Sequence, residues 1–345
     1  MNGRLDRLRA VLEEPLLVSS AINVRYLTGF KSSNAVLLVE PDRVRLFTDF
    51  RYAERARAVA GVELVETRRN VFADLALQLE GRIAFEAGDL TYDRHEALSS
   101  AGVELVPRRG LVEALRVVKE ETELAAIRRA AAIGDEAFRQ LAEERFAGRT
   151  ERELAWRMEA LFHELEADGL SFPVTVAAGA NAALPHTEPG DRTIEPGDAV
   201  LVDAGCTVDG YCSDCTRTFA VGSLSRELER AYEVCRRAQE IGLAAVAPAV
   251  PGIDVDRIAR DVIDHEGLGQ AFGHGLGHGI GLVVHEAPYL NPESSDVLAP
   301  GNAVTVEPGI YLSGLGGIRI EDLVIVGEDG PEVLTPFTKE LVTVR

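Results

Sequence analysis

Four carboxylates stand in or beside apolar runs that read as buried strands. Asp203 ends the run Ala199-Val-Leu-Val, and Asp214 begins the returning strand. Glu307 follows Ala303-Val-Thr-Val, and Glu321 lies within Ile318-Arg-Ile-Glu-Asp-Leu-Val-Ile. Asp209-Gly210 is a two-residue hairpin signal. With that turn, 208 pairs with 211, Asp203 faces Thr216, and Asp214 sits two residues along on the same face, a diagonal neighbour within reach. A turn centred on Gly314 would set Glu307 opposite Glu321 in the same way. Buried carboxylates are costly, and four together need compensating positive charge. Arg319 can neutralise one of them, or meet substrate; it cannot neutralise four. Four carboxylates and one imidazole match two divalent metal ions about 3.5–4 Å apart, able to activate a water as nucleophile. An oxygen-rich set of this kind suits Mn2+, with Co2+ or Zn2+ as alternatives, better than a thiolate site would.

The imidazoles come from Gly273-His-Gly-Leu-Gly-His-Gly-Ile-Gly281, followed by His285-Glu286. Each glycine would cost a helix about 1 kcal/mol, so the stretch is expected to be extended. A period of two then puts His274 and His278 on one face, and the bare backbone opposite lets another chain segment approach closely. Only one glycine-flanked histidine is needed as a ligand. The remainder, with His285 and with His186 in Leu184-Pro-His-Thr-Glu188, are candidates for substrate contact and proton handling. His285 lies too far along for a straight strand to aim it at the same centre, so a bend must bring it back.

The elements that position these groups fall into two sets. Up to residue 106, short strands alternate with helices: a helix over 3–13, a strand at 16–19 followed by the segment 23–29, and a hairpin of 35–39 with 43–48. A helix over 51–59, a strand at 62–65, a helix over 71–79 and strands at 82–85 and 103–106 complete an α/β domain with a mixed sheet. Beyond it, helices are expected at 121–145, 151–167, 225–247 and 254–267. Thr150 and Ser225 are their N-caps, and Thr150 with Glu153 forms a capping box. Strands at 174–176, 199–204, 211–221, 303–307 and 318–326 lie between them, giving an α+β domain with helices on a strongly curved antiparallel sheet. The domains are expected to be 1–117 and 118–345.

Charge divides at the same place. The net charge is −20, and residues 1–118 carry as many basic as acidic side chains, so the whole excess lies in 119–345. An acidic second half argues against nucleic acid and anionic membranes as partners. No apolar run approaches a membrane span, and the amino terminus lacks the apolar core of a signal peptide. Four cysteines at 206, 212, 215 and 235 read as reduced packing thiols, and a cytoplasmic location is the simple expectation.

Five ordered motifs carry a resemblance. They are Val202-Asp-Ala-Gly-Cys with Gly210-Tyr-Cys-Ser-Asp-Cys-Thr-Arg-Thr-Phe219, the glycine–histidine run, Val284-His-Glu286, Thr305-Val-Glu-Pro-Gly-Ile-Tyr311 and Gly317-Ile-Arg-Ile-Glu-Asp322. Together they resemble the pita-bread metallopeptidases, and within them the Xaa-Pro group of prolidases and aminopeptidases P. The resemblance spans essentially the whole chain. It implies a pita-bread catalytic domain behind a creatinase-like amino-terminal domain, a homodimer, and Asp203, Asp214, His278, Glu307 and Glu321 as metal ligands. It further implies that His186 and His285 meet substrate and stabilise charge, that Glu307 shuttles the proton of the attacking water, and that His274 stands beside the substrate.

The implied reaction is hydrolysis of the bond before a proline in second position of short peptides. A tertiary amide offers no donor, so recognition needs an apolar wall, with Phe172 a candidate. A dipeptidase must also neutralise the proline carboxylate, yet no Arg or Lys occurs from 286 to 318. Arg45 or Arg51, reaching in from the amino-terminal domain of the same or a second subunit, is the substitute clamp that favours a prolidase. An aminopeptidase P acting on longer peptides is the alternative. Methionine aminopeptidases generally lack such an amino-terminal domain. Creatinase-like hydrolases need no metals, and a non-enzymatic binding protein would not need the ligand set.

Overall fold

The computed structural model describes residues 3–345 except His186. Residues up to Arg116 form one compact unit and Val117–Arg345 a second. The first unit is a six-stranded mixed sheet in the order Glu63–Thr67, Val44–Asp49, Ala35–Val39, Leu16–Val18, Arg82–Glu86, Glu104–Arg108. The hairpin around Pro41-Asp42 forms, with Val39 opposite Val44. The segment after the first strand is a helix, Ala21–Thr28, ended by Gly29 in the left-handed region that glycine reaches without strain. A further helix, Tyr92–Ser100, buries only Leu98, so no apolar periodicity announces it.

In the second unit the four expected helices run Glu121–Ala142, Glu151–Glu164, Arg226–Ala244 and Gly252–His265. Thr150 and Ser225 cap the helices that follow them, and the Thr150–Glu153 capping box is complete. The first two helices pack on one apolar cluster with Val200, Val202 and Phe219. The other two pack on a second cluster with Val304, Val306, Ile318 and Val324. Between them lie short antiparallel strands bent into the curved sheet of an α+β domain.

Two hairpins carry the carboxylates, and both are interrupted. In the first, Val208 pairs with Tyr211 and Asp203 with Thr216, so the register set by Asp209-Gly210 survives the break at Gly205 and Asp214. Both turn residues have positive φ, as a type I′ hairpin turn requires. Strand alternation sends Val200, Val202 and Ala204 into the first apolar cluster and leaves Asp203 on the opposite face. The second hairpin pairs Gly309 with Arg319 and Ile310 with Ile318 around a turn containing Gly314. The single strand expected over 318–326 is two strands, Gly316–Arg319 and Asp322–Gly327, paired with different partners. Glu307 and Glu321 lie facing one another in the gap, where neither residue is tied into a ladder. The Glu321 N–H donates instead to Thr216 O across to the first hairpin, at 3.1 Å. Ile318, Ile320, Leu323, Val324 and Ile325 are all buried, so the apolar residues on either side do not mark the break.

Candidate metal centre and active site

The glycine run is extended only at Gly277–Gly279, and its glycines are there for close approach. A Cβ on Gly277 would lie 2.0 Å from Thr305 O, and one on Gly279 would lie 2.3 Å from Ala287 O. The chain then shifts register between His278 and Gly279 and bends before the strand Glu286–Leu290. That bend returns His285 to the centre, with its ring centroid 4.2 Å from that of His278.

Asp203, Asp214, His274, His278, His285, Glu307, Arg319 and Glu321 all line one cavity of about 440 Å3, bordered by Phe172, Thr175, Pro185, Tyr289 and Asn291. His186 lies outside the described residues. Within the cavity Asp214, His278 and Glu321 each offer a ligand atom within 4.8 Å of the others. His278 Nδ1 faces Gly279 O at 3.1 Å, so that nitrogen carries the proton of the neutral ring. The bare Nε2 then faces acceptors, Glu307 Oε1 at 3.1 Å and Asp214 Oδ2 at 3.8 Å. Although burial disfavours a charged ring, the Glu307 carboxylate raises the basicity of His278, so this contact calls for positive charge at Nε2, from a proton or from a metal ion.

The carboxylates repeat the demand. Among the described residues, Asp203 Oδ1, Asp214 Oδ1 and Glu321 Oε1 are buried without a hydrogen-bond partner. Burial raises the Asp214 carboxyl well above the carboxylate range, and the charges of Glu321 and Asp203 push it further. Burial does the same to Glu321, helped by Glu307 and Asp203. Asp203 is also raised by burial, against the pull of Arg319. Oxygen donors aimed at one space, an imidazole facing them, and a single arginine, Arg319 on Asp203, against four carboxylates are what divalent ions require. The site fits the metals that its donor set implies.

Outer residues fix these donors. Thr216 Oγ1 donates to Glu321 Oε2 at 2.7 Å, and Thr305 Oγ1 donates to Glu307 Oε1 at 2.9 Å. Thr305 Oγ1 also accepts from the His278 N–H at 3.0 Å. Arg319 spends all three nitrogens on protein groups: Asp203 Oδ2 at 2.6 Å, Tyr311 Oη at 2.8 Å and Thr216 Oγ1 at 3.0 Å. Tyr311, given no separate role by the sequence, accepts from Arg319 and donates to His274 Nε2 at 2.9 Å. His274 Nδ1–H then donates to Gly275 O at 2.8 Å. Thr216 could have been found, because the Asp209-Gly210 register sets it opposite Asp203. Tyr311 could not, because its role depends on where the broken hairpin turns. Lys119, also unforeseen, is almost wholly buried against Glu286 at 3.0 Å, beneath the bend that carries His285.

The two candidate arginines of the first unit, Arg45 and Arg51, are engaged locally. Arg45 grips both oxygens of Glu40, at 2.8 and 3.1 Å, and is buried. Arg51 grips both oxygens of Asp49, and 37% of its side chain remains exposed. Cys206, Cys212, Cys215 and Cys235 are free thiols and buried. No helix among the described residues is long and apolar enough to cross a membrane.

Residues 125–328 match Metallopeptidase family M24, and residues 4–118 match the Creatinase/Prolidase N-terminal domain. An uncharacterized peptidase of Bacillus subtilis is 39% identical, over 98% of this chain and 99% of its own. The structure is similar to an Xaa-Pro dipeptidase from Bacillus anthracis, with TM-score 0.96 and 38% identity, covering 99% of each chain. It is also similar to an X-Pro aminopeptidase from Thermotoga maritima, with TM-score 0.89 and 33% identity, covering 99% of this chain and 100% of the other.

Proposed function

The chain belongs to Metallopeptidase family M24, and we propose that it is a dinuclear Xaa-Pro peptidase, a prolidase in preference to an aminopeptidase P. The observation that carries this reading is the set of buried carboxylate oxygens around His278 Nε2 that have no hydrogen-bond partner among the described residues. The chain's similarity to an Xaa-Pro dipeptidase over its whole length supports the reaction class.

Asp203, Asp214, His278, Glu307 and Glu321 would hold two divalent ions, Mn2+ before Co2+ or Zn2+. When bound, those ions supply the charge that polarises the scissile carbonyl and acidifies water. Glu307, fixed by Thr305, takes the proton of the attacking water and delivers it to the proline nitrogen as the bond breaks. His285 hydrogen-bonds the oxygen on which negative charge develops, with His186 as a second donor. His274 is held neutral, because burial lowers its basicity, and contacts the peptide beside Tyr311. Phe172 provides an apolar wall for the proline ring, and Arg319 acts on substrate through its hold on Asp203. Arg51 or Arg45 binds the carboxylate of a dipeptide. The working form is a cytoplasmic homodimer acting on short proline-containing peptides.

Hydrolysis of Ala-Pro, Ala-Pro-Gly and Met-Ala by the purified protein tests the reading. Ala-Pro should be cleaved fastest, activity should vanish with a chelator, and Mn2+ should restore it. Metal analysis should find two ions per chain. Cleavage of Met-Ala with Ala-Pro untouched, or cleavage of Ala-Pro indifferent to a chelator, would overturn it.

A further inference from the structure

The segment that presents His274 is Phe272-Gly-His-Gly-Leu276, and its two glycines give the backbone no preference of its own. Two side chains of one helix, Gly252–His265, bind the segment's backbone at three points. Asp256 on that helix is buried, with 1% of its surface exposed, and Arg260 one turn later grips both its oxygens at 2.8 Å. Asp256 Oδ1 also accepts the Leu276 N–H at 2.9 Å. Arg260 donates to Phe272 O at 3.1 Å and to His274 O at 2.7 Å, and its guanidinium lies 4.1 Å over the Phe272 ring. The pair therefore holds the backbone before, at and after the cavity histidine.

Stability alone is a poor reason for this arrangement, because a buried ion pair often does no better than apolar side chains of the same volume. Position is a better one. From the held backbone the path runs outward through His274 Nε2 to Tyr311 Oη, from there to Arg319, and on to Asp203. A displacement of the 272–276 backbone is thus passed along the cavity wall through Tyr311 and Arg319 to Asp203. Functional groups need their geometry held to within about 0.5 Å, and a misplacement near 1 Å can cost about 100-fold.

We propose that Asp256 and Arg260 are positioning residues, a clamp that sets His274 against the peptide; the inference rests on the Xaa-Pro peptidase reading. Neither side chain touches the cavity donors; their hold reaches the site through His274 and, by Leu276 O, which accepts the Glu307 N–H at 2.8 Å, through the backbone of Glu307, and the two routes are separable by removing His274. Arg260→Met keeps the bulk and removes every donor, and should lower kcat/KM for Ala-Pro roughly 10- to 100-fold. Arg260→Lys, which reaches only some of these partners, should lose less.

The deciding measurement is a double-mutant cycle with His274→Ala, with metal content checked in each protein. The loss caused by Arg260→Met should shrink to within about twofold once His274 is gone. An equal loss in both backgrounds would overturn the clamp. If Arg260→Met does not fold, the same cycle with Arg260→Lys decides. Hydrogen exchange of the metal-free protein gives a readout independent of activity: the Leu276 amide should exchange faster in the Arg260 variant and in Asp256→Asn than in wild type. Unchanged exchange would also overturn the clamp. Absence of wild-type Ala-Pro hydrolysis with faster exchange in the variants would overturn the peptidase reading and leave the clamp standing.

Discussion

At the scale of single residues, the centre is a problem of unpaired charge. Among the described residues Asp214 Oδ1 and Glu321 Oε1 are buried and meet no donor, and His278 Nε2 faces the carboxylates of Glu307 and Asp214. Each group alone would be an expensive defect; together they describe a cation site. This separates the ligands from the residues that orient them. Glu321→Gln keeps the volume and removes the charge. It should lower bound metal below two ions per chain and reduce kcat/KM by more than the roughly 10- to 100-fold typical of losing an outer partner. Thr216→Val, which removes the hydroxyl that donates to Glu321 and accepts from Arg319, should fall within that 10- to 100-fold range. Parallel kinetics and metal analysis check both, and a Thr216 variant losing as much as Glu321→Gln would erase the distinction.

At the scale of elements, glycines and turns decide what the side chains can reach. Within one run, Gly277 and Gly273 face opposite conditions: a Cβ at 277 would strike Thr305 O, whereas nothing lies within 4 Å of one at 273. Gly277→Ala should cost about 1–3 kcal/mol or more in stability, while Gly273→Ala should stay within about 0.5 kcal/mol. Denaturant midpoints test the contrast, and equal shifts would refute close packing as the role of Gly277. In the amino-terminal unit, Glu86 ends a strand and accepts from the N–H groups of Ser19 and Ser20 and from Asn23. Burial nevertheless raises its carboxyl from 4.5 to about 7. The folded state then holds a proton that the unfolded chain has released, so this contribution is complete below pH 4.5 and is lost as pH climbs through 7. The expected loss is on the order of 2–3 kcal/mol, absent in Glu86→Gln, and identical pH slopes for both proteins would refute it. Much of this level was legible in the sequence. Asp209-Gly210 alone set Asp203 opposite Thr216, and the turn at Gly314 set Glu307 against Glu321. What stayed hidden was the break at Ile320-Glu321, since buried apolar residues flank it on both sides whether the strand continues or changes sheet. The helix Tyr92–Ser100 stayed hidden for the opposite reason, having too little apolar surface to show a period.

At the scale of the molecule, the uneven charge bears on which peptides are taken. The whole excess of −20 lies in residues 119–345, the half that carries the cavity. Among the described residues Arg319 is the single arginine or lysine lining it, and all its nitrogens are spent on Asp203, Tyr311 and Thr216. A dipeptide ends in a carboxylate immediately after the proline, so it brings a negative charge into an acidic surrounding. A tripeptide moves that charge one residue away and presents a neutral amide instead. Without a further cation the longer substrate should win; with one, the dipeptide gains a charge-assisted bond worth about 1.5–3 kcal/mol. Arg51 is the better of the two candidates for that cation, because more of its side chain is exposed than that of Arg45. Arg51→Ala should therefore raise KM for Ala-Pro about 10- to 100-fold and leave Ala-Pro-Gly within about threefold of wild type. Stopped assays on both peptides, in wild type, Arg51→Ala and Arg45→Ala, give the ratio directly. A ratio unchanged in both variants would rule out either arginine as the clamp, and a wild type already faster on Ala-Pro-Gly would make the enzyme an aminopeptidase P.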